Sequence, residues 1–157
     1  MEINKKLIKY NFSSRYETKI KYIVIHDTGN TNKGAGAYNH YLYFNRSNRN
    51  ASSHYFIDDR EIIQTVEDIN CAWHCGDGRG TYGITNLNSI GIELCINQDG
   101  DFLVTQEKAL ELIRQLMKKH ELPKENVVRH FDASRKICPR SMSEVGWKKW
   151  TLFYDRI

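Results

Sequence analysis

No stretch of the 157 residues approaches the roughly 18 consecutive apolar residues that a membrane-spanning helix needs. Proline is scarce: Pro123 and Pro139 are the only two. No Pro/Gly/Ser-rich linker and no internal repeat divides the chain, so one domain spanning 1–157 is expected. Neither sign of charge dominates, with 23 Lys and Arg against 19 Asp and Glu and a net charge of +4. The basic residues are scattered, apart from Lys5, Lys6 and Lys9, and do not interleave with aromatics as in RNA-binding motifs. The chain is therefore expected neither to bind nucleic acid nor to insert into a membrane, though a mildly basic surface suits an anionic one. Met1 to Lys9 carry charge with no apolar stretch after them, so no secretory signal peptide is expected. The four cysteines, Cys71, Cys75, Cys95 and Cys138, are unevenly spaced. That spacing makes a disulfide framework a poor reading; reduced thiols or a metal ligand are better ones.

What is present reads as strands alternating with helices. Lys21 to His26 is a β-branched strand, broken by Asp27-Thr28-Gly29-Asn30. Gly36 to Phe44 is helical or loop-like. His54 to Ile57 and Glu61 to Val66 are two strands around the turn Asp58-Asp59-Arg60. Ser89 to Ile96 is a buried strand ended by a turn. Thr105 to Leu122 has one apolar face at helical spacing, with Thr105 as its cap and Pro123 as its stop. Val127 and Val128 start a strand leading to His130. Trp147, Trp150, Phe153, Tyr154 and Ile157 fall at helical spacing and predict a closing helix over about 144–157, its aromatics in the core. The pattern predicts an α/β fold with a central mixed β-sheet flanked by helices. Functional groups collect where such strands end, and His26, Glu93 and His130 all lie there.

His26, His130 and Cys138 offer two imidazoles and a thiol. That donor set suits one Zn2+ ion with a fourth position open. Spacing alone leaves the other reading standing, two hydrogen-bonded histidines and a small buried thiol. Glu93 sits in an otherwise apolar strand, where a carboxylate needs either an ion-pair partner such as Arg129 or Lys136, or a task. Lys136, close to Cys138, is either a solvated lysine or a cation facing a reaction centre. Cys71, His74 and Cys75 would make part of a second zinc site only if a fourth ligand were at hand. Gly29 is expected to supply a turn conformation, and Thr28 to hydrogen-bond a ligand histidine.

Five segments in order carry a resemblance: VIHDTG at 24–29, SSHYFID at 52–58, AWHCGDG at 72–78, SIGIEL at 89–94 and RHFDASRKICP at 129–139. Together they resemble the zinc-dependent N-acetylmuramoyl-L-alanine amidases of the amidase-2 type. These are related to peptidoglycan recognition proteins and occur in phage endolysins and autolysins of Gram-positive hosts. The resemblance covers 21–139 and implies a peptidoglycan-recognition-protein-like fold. It implies zinc held by His26, His130 and Cys138, Glu93 as the base, and Lys136 as the stabiliser of the oxyanion. The implied reaction is cleavage, by zinc-activated water, of the amide between N-acetylmuramic acid and L-alanine of the peptidoglycan stem. His54 and His74 match cleft positions and are expected to bind substrate, or else to be satisfied structural histidines. Some relatives carry tyrosine at the place of His54, and many carry a histidine at that of Asp27. A non-catalytic peptidoglycan-binding module and a zinc peptidase acting on the stem peptide are the rival readings. The resemblance further allows a wall-binding domain outside this chain. It implies a protein held in the cytoplasm until the host membrane is breached, then acting on the wall.

Overall fold

The computed structural model describes residues 2–157; Met1 lies outside them. Eight strands form: β1 (Asn4–Lys5), β2 (Phe12–Ser14), β3 (Tyr22–Asp27), β4 (Tyr55–Ile57), β5 (Ile62–Gln64), β6 (Asn70–Ala72), β7 (Ser89–Leu94) and β8 (Val127–Arg129). The four α-helices are α1 (Ala37–Arg46), α2 (Phe102–His120), α3 (His130–Ser134) and α4 (Lys148–Tyr154). Six strands make a mixed sheet in the order β1-β5-β4-β7-β3-β8, and β2 pairs with β6 apart from it. β3 runs parallel to both β7 and β8, while β4 and β5 form an antiparallel hairpin.

Side chains of a strand alternate between the faces of its sheet. On one face Ile23, Ile25, Ile90, Ile92 and Leu94 meet Ala109, Leu110, Leu112, Ile113 and Leu116 of α2 and Trp150 and Phe153 of α4. Each such isoleucine or leucine removed from water contributes about 1.5–3 kcal/mol. The alternate positions, His26 on β3 and Ser89, Gly91 and Glu93 on β7, are thereby turned to the opposite face. The central strands are buried on both sides, as parallel strands usually are.

Two helix boundaries differ from expectation. The cap of α2 is Asp101, which accepts from the amides of Leu103 and Val104 at 2.9 and 3.2 Å. Thr105 lies inside the helix and donates its hydroxyl to the Asp101 carbonyl at 3.0 Å. Phe102 in the first turn packs against the same core as the stripe, so the helix starts three residues before Thr105. The closing helix is also shorter than 144–157. Gly146 (φ 72°) and Trp147 (φ 59°) are left-handed, so the regular helix runs only over Lys148–Tyr154. Its aromatics do join the core: Trp150 and Phe153 are buried in it, and Trp147, Tyr154 and Ile157 pack against the core cluster.

Candidate metal centre

The parallel pairing of three strands assembles the site. His26 and Glu93 are register partners across β3 and β7. Ile25 pairs with Arg129 on β8, so His130, the first residue of α3, falls beside His26 with ring centroids 4.6 Å apart. The chain after α3 folds back, the Phe131 amide donating to the Cys138 carbonyl at 3.0 Å. That return puts Cys138 Sγ 3.8 Å from His26 Nδ1. Donor atoms of His26, His130 and Cys138 all lie within 4.8 Å of one another, and all three residues are buried.

The residues fit a zinc ion. His130 donates from Nε2 to Asp77 Oδ1 at 2.8 Å, which leaves Nδ1 buried with no partner among the described residues. An unpartnered imidazole nitrogen away from water is costly, and a cation answers it. A carboxylate on the far side of a ligand histidine is the usual arrangement in zinc sites, fixing the tautomer and raising the ring's basicity. Burial, with the neighbouring rings and Lys136 adding to it, holds His26 well below the usual imidazole range. Burial also lowers His130, although Asp77 opposes. Both rings are therefore neutral, as ligands must be. Burial, with Glu93 adding repulsion, pushes the Cys138 thiol up to about 12. It becomes a thiolate only against a cation.

Glu93 Oε1 stands 4.0 Å from His26 Nδ1, and Oε2 is buried without a partner among the described residues. Burial, with Asp27 adding to it, pushes this carboxyl up to about 8, while Lys136 opposes. Arg129 does not pair with it: that guanidinium is bound to Asp132 and lies over the Trp147 ring. Lys136 is exposed and lines the same cleft, a space of about 190 Å³ bounded also by Thr28, Ser52, Trp73 and His74.

His54 stands elsewhere. It is fully buried beneath the cleft, accepting from the Gly91 amide at Nδ1 (3.0 Å), with Nε2 beside Asn70 O and Arg15. His74 does line the cleft, but both its ring nitrogens are engaged within the protein, by His26 and Ser89. Cys71, His74 and Cys75 form no second metal cluster: among the described residues the group with ligand geometry is His26, His130 and Cys138. The Thr28 hydroxyl oxygen accepts from the Asn30 amide at 3.4 Å, and among the described residues no hydrogen bond joins it to a ligand histidine. Gly29 does take the left-handed turn, at φ 62°.

Two residues of the site's support have no signal of their own in the sequence. Asp77 sits inside AWHCGDG, where only its neighbours draw notice. Arg15 is a buried guanidinium that donates to the carbonyls of Asp68, Asn70 and Ser89. It ties the start of β7 to β6 and the turn before it.

Comparison with known proteins identifies the family. The amidase-2 family, described as N-acetylmuramoyl-L-alanine amidase, matches residues 16–141. The chain belongs to that family. N-acetylmuramoyl-L-alanine amidase CwlH of Bacillus subtilis is 41% identical over 136 residues, covering 87% of this chain and 52% of CwlH. Amidase XlyA of the same organism is 42% identical over 121 residues, covering 77% of this chain and 40% of XlyA. The chain thus spans about half the length of the curated relatives it matches. The solved catalytic domain of XlyA superposes with a TM-score of 0.88 at 37% identity, covering 100% of this chain and 99% of that one.

Proposed function

We propose that this amidase-2 domain is a zinc-dependent peptidoglycan hydrolase. It cleaves the amide between the lactyl group of N-acetylmuramic acid and L-alanine of the stem peptide. The observation that carries the metal part is the buried, unpartnered Nδ1 of His130 among the donors of His26 and Cys138. The amidase names of CwlH and XlyA support the choice of bond.

His26, His130 and Cys138 would hold the ion. When bound, zinc supplies Lewis acidity that acidifies water and polarises a carbonyl oxygen. Glu93 takes the proton of the attacking water and passes it to the leaving nitrogen of L-alanine. Its partnerless oxygen and raised proton affinity suit that task. Attack on the amide carbonyl builds negative charge on its oxygen, and the Lys136 ammonium at the cleft wall stabilises that charge. A second hollow of about 350 Å³ adjoins the cleft through Thr28 and Phe44. Asn30, Asn39 and Tyr43 line it with neutral polar and aromatic groups, which suit sugar and peptide amide.

The cell wall is the place of action in this reading, reached once the membrane is breached. The complete donor set, with Glu93 and Lys136 beside it, favours an enzyme over a non-catalytic wall-binding module.

The test is hydrolysis of purified walls with and without a chelator, with identification of the new end groups. The expected products carry a free L-alanine amine and an intact lactyl carboxylate, and chelation stops their formation. Wall binding without hydrolysis would favour the module. New amines within the stem peptide would favour a peptidase.

A further inference from the structure

A chain of hydrogen bonds runs from His26 away from the donor set. His26 Nε2 lies 3.0 Å from His74 Nδ1, and His74 Nε2 lies 3.2 Å from Ser89 Oγ. Ser89 Oγ donates to the Thr85 carbonyl at 2.5 Å. A carbonyl can only accept, so the direction of every link follows from that last one. With its proton given to Thr85, the Ser89 oxygen accepts from His74 Nε2–H. The neutral His74 ring is then bare at Nδ1 and accepts from His26 Nε2–H. His26 keeps its lone pair on Nδ1, the atom beside Cys138 Sγ and Glu93 Oε1. Ser89 and His26 are both buried, which shields the two ends of this chain of bonds from water.

Gly91 supplies a second, independent observation. A Cβ at this position would lie 2.6 Å from His74 Cγ and 2.8 Å from Nδ1. Only glycine lets the His74 ring lie on β7. Ser89, Gly91 and Glu93 are alternate residues of β7 and share one face of it, opposite Ile90, Ile92 and Leu94 in the core. One strand face thus anchors the relay, seats its central ring and presents the carboxylate.

We propose that His74 and Ser89 are positioning residues for the metal centre. They fix the tautomer and orientation of His26 so that Nδ1 faces the ion, and Gly91 provides the seat for His74. His74 on this assignment does not bind substrate, because neither ring nitrogen is free. The inference rests on the reading of His26 as a zinc ligand.

The test compares wild type with His74→Leu, His74→Asn and Ser89→Ala. Zinc affinity is read by competition with a chromophoric chelator, and ligand geometry by the absorption of the Co2+-substituted proteins. Thermal melting of the metal-free forms reports the fold. Wild type is expected to bind one zinc. His74→Leu and Ser89→Ala are expected to bind it about 10–100-fold more weakly, with altered cobalt bands. His74→Asn keeps an acceptor near the place of Nδ1 and is expected to recover most of the loss and the wild-type spectrum. Leu and Ala variants that bind zinc as wild type does would overturn the proposal. So would an Asn variant as weak as the Leu variant, which would assign the effect to packing. Should His74→Leu fail to fold, Ser89→Ala decides by the same readouts. A wild-type protein that binds no zinc would overturn the underlying ligand assignment instead, a different and separable result.

Discussion

Glu93 and His26 stand opposite each other on adjacent parallel strands, with Oε1 4.0 Å from Nδ1. In the mechanism we propose, the pair sets a proton acceptor against a metal donor on two of the most deeply packed strands. Neither group can drift, because Ile25, Ile92 and Leu94 beside them are fully buried. Rigid placement of this kind is what a site for amide hydrolysis needs.

Glu93→Gln keeps the shape of the side chain and removes its basicity. Turnover of defined muropeptides is expected to fall by about 10²–10⁴-fold. Zinc content, measured by metal analysis of the purified protein, is expected to stay at the wild-type level. Normal turnover in this variant would place the base elsewhere.

Cys138→Ser replaces a thiolate by a hydroxyl that stays protonated at neutral pH. Loss of a direct ligand exceeds the effect of losing a supporting hydrogen bond, so zinc affinity is expected to drop by about 100-fold or more. Metal analysis after dialysis against a weak chelator checks it. Full occupancy would remove Cys138 from the centre.

Lys136→Ala is expected to lower kcat by about 10²–10³-fold while KM changes little, the pattern of a contact made only in the transition state. The side chain is exposed, so the melting temperature should hardly move. A rise in KM with unchanged kcat would instead make Lys136 a ground-state binding group.

Acid stability is expected to depend on His54. Burial, with the Arg15 charge adding to it, pulls this imidazole down to about 3. A protonated ring would also lose the acceptor that serves the Gly91 amide. The unfolded chain, with an ordinary histidine near 6.5, binds more protons than the native one between those two values. Native stability is therefore full above about pH 6.5 and falls as pH drops toward 3, by up to about 1.4 kcal/mol per unit for this residue. His54→Asn, which retains an acceptor for Gly91, is expected to flatten the slope by about that amount. Urea unfolding of the metal-free protein between pH 7 and 5 measures it; an unchanged slope would mean that His54 titrates normally.

The donor groups of the candidate site and the strands that carry them were legible in the chain itself. β-branched runs ending in His26 and Glu93 read as buried strands, and the apolar stripe of α2 gave its buried face. Donor types also survive without a structure, since imidazole, thiol and carboxylate keep their chemistry wherever they sit. Five ordered segments then carried the family likeness. What stayed hidden was set by contacts between distant segments. β1, β2 and β6 are two or three residues long and gain strand character only from their partners. His54 and His74 look equivalent as residue types, yet one lies under the sheet face and the other on the cleft wall. Only the parallel register of β3 with β7 and β8 decides that His26, Glu93 and His130 meet. Only the fold brings Asp77 to His130 and Ser89 to His74, and so decides which nitrogen of each imidazole is left open. A sequence specifies what a side chain can donate or accept; direction and distance come from the packing that holds it.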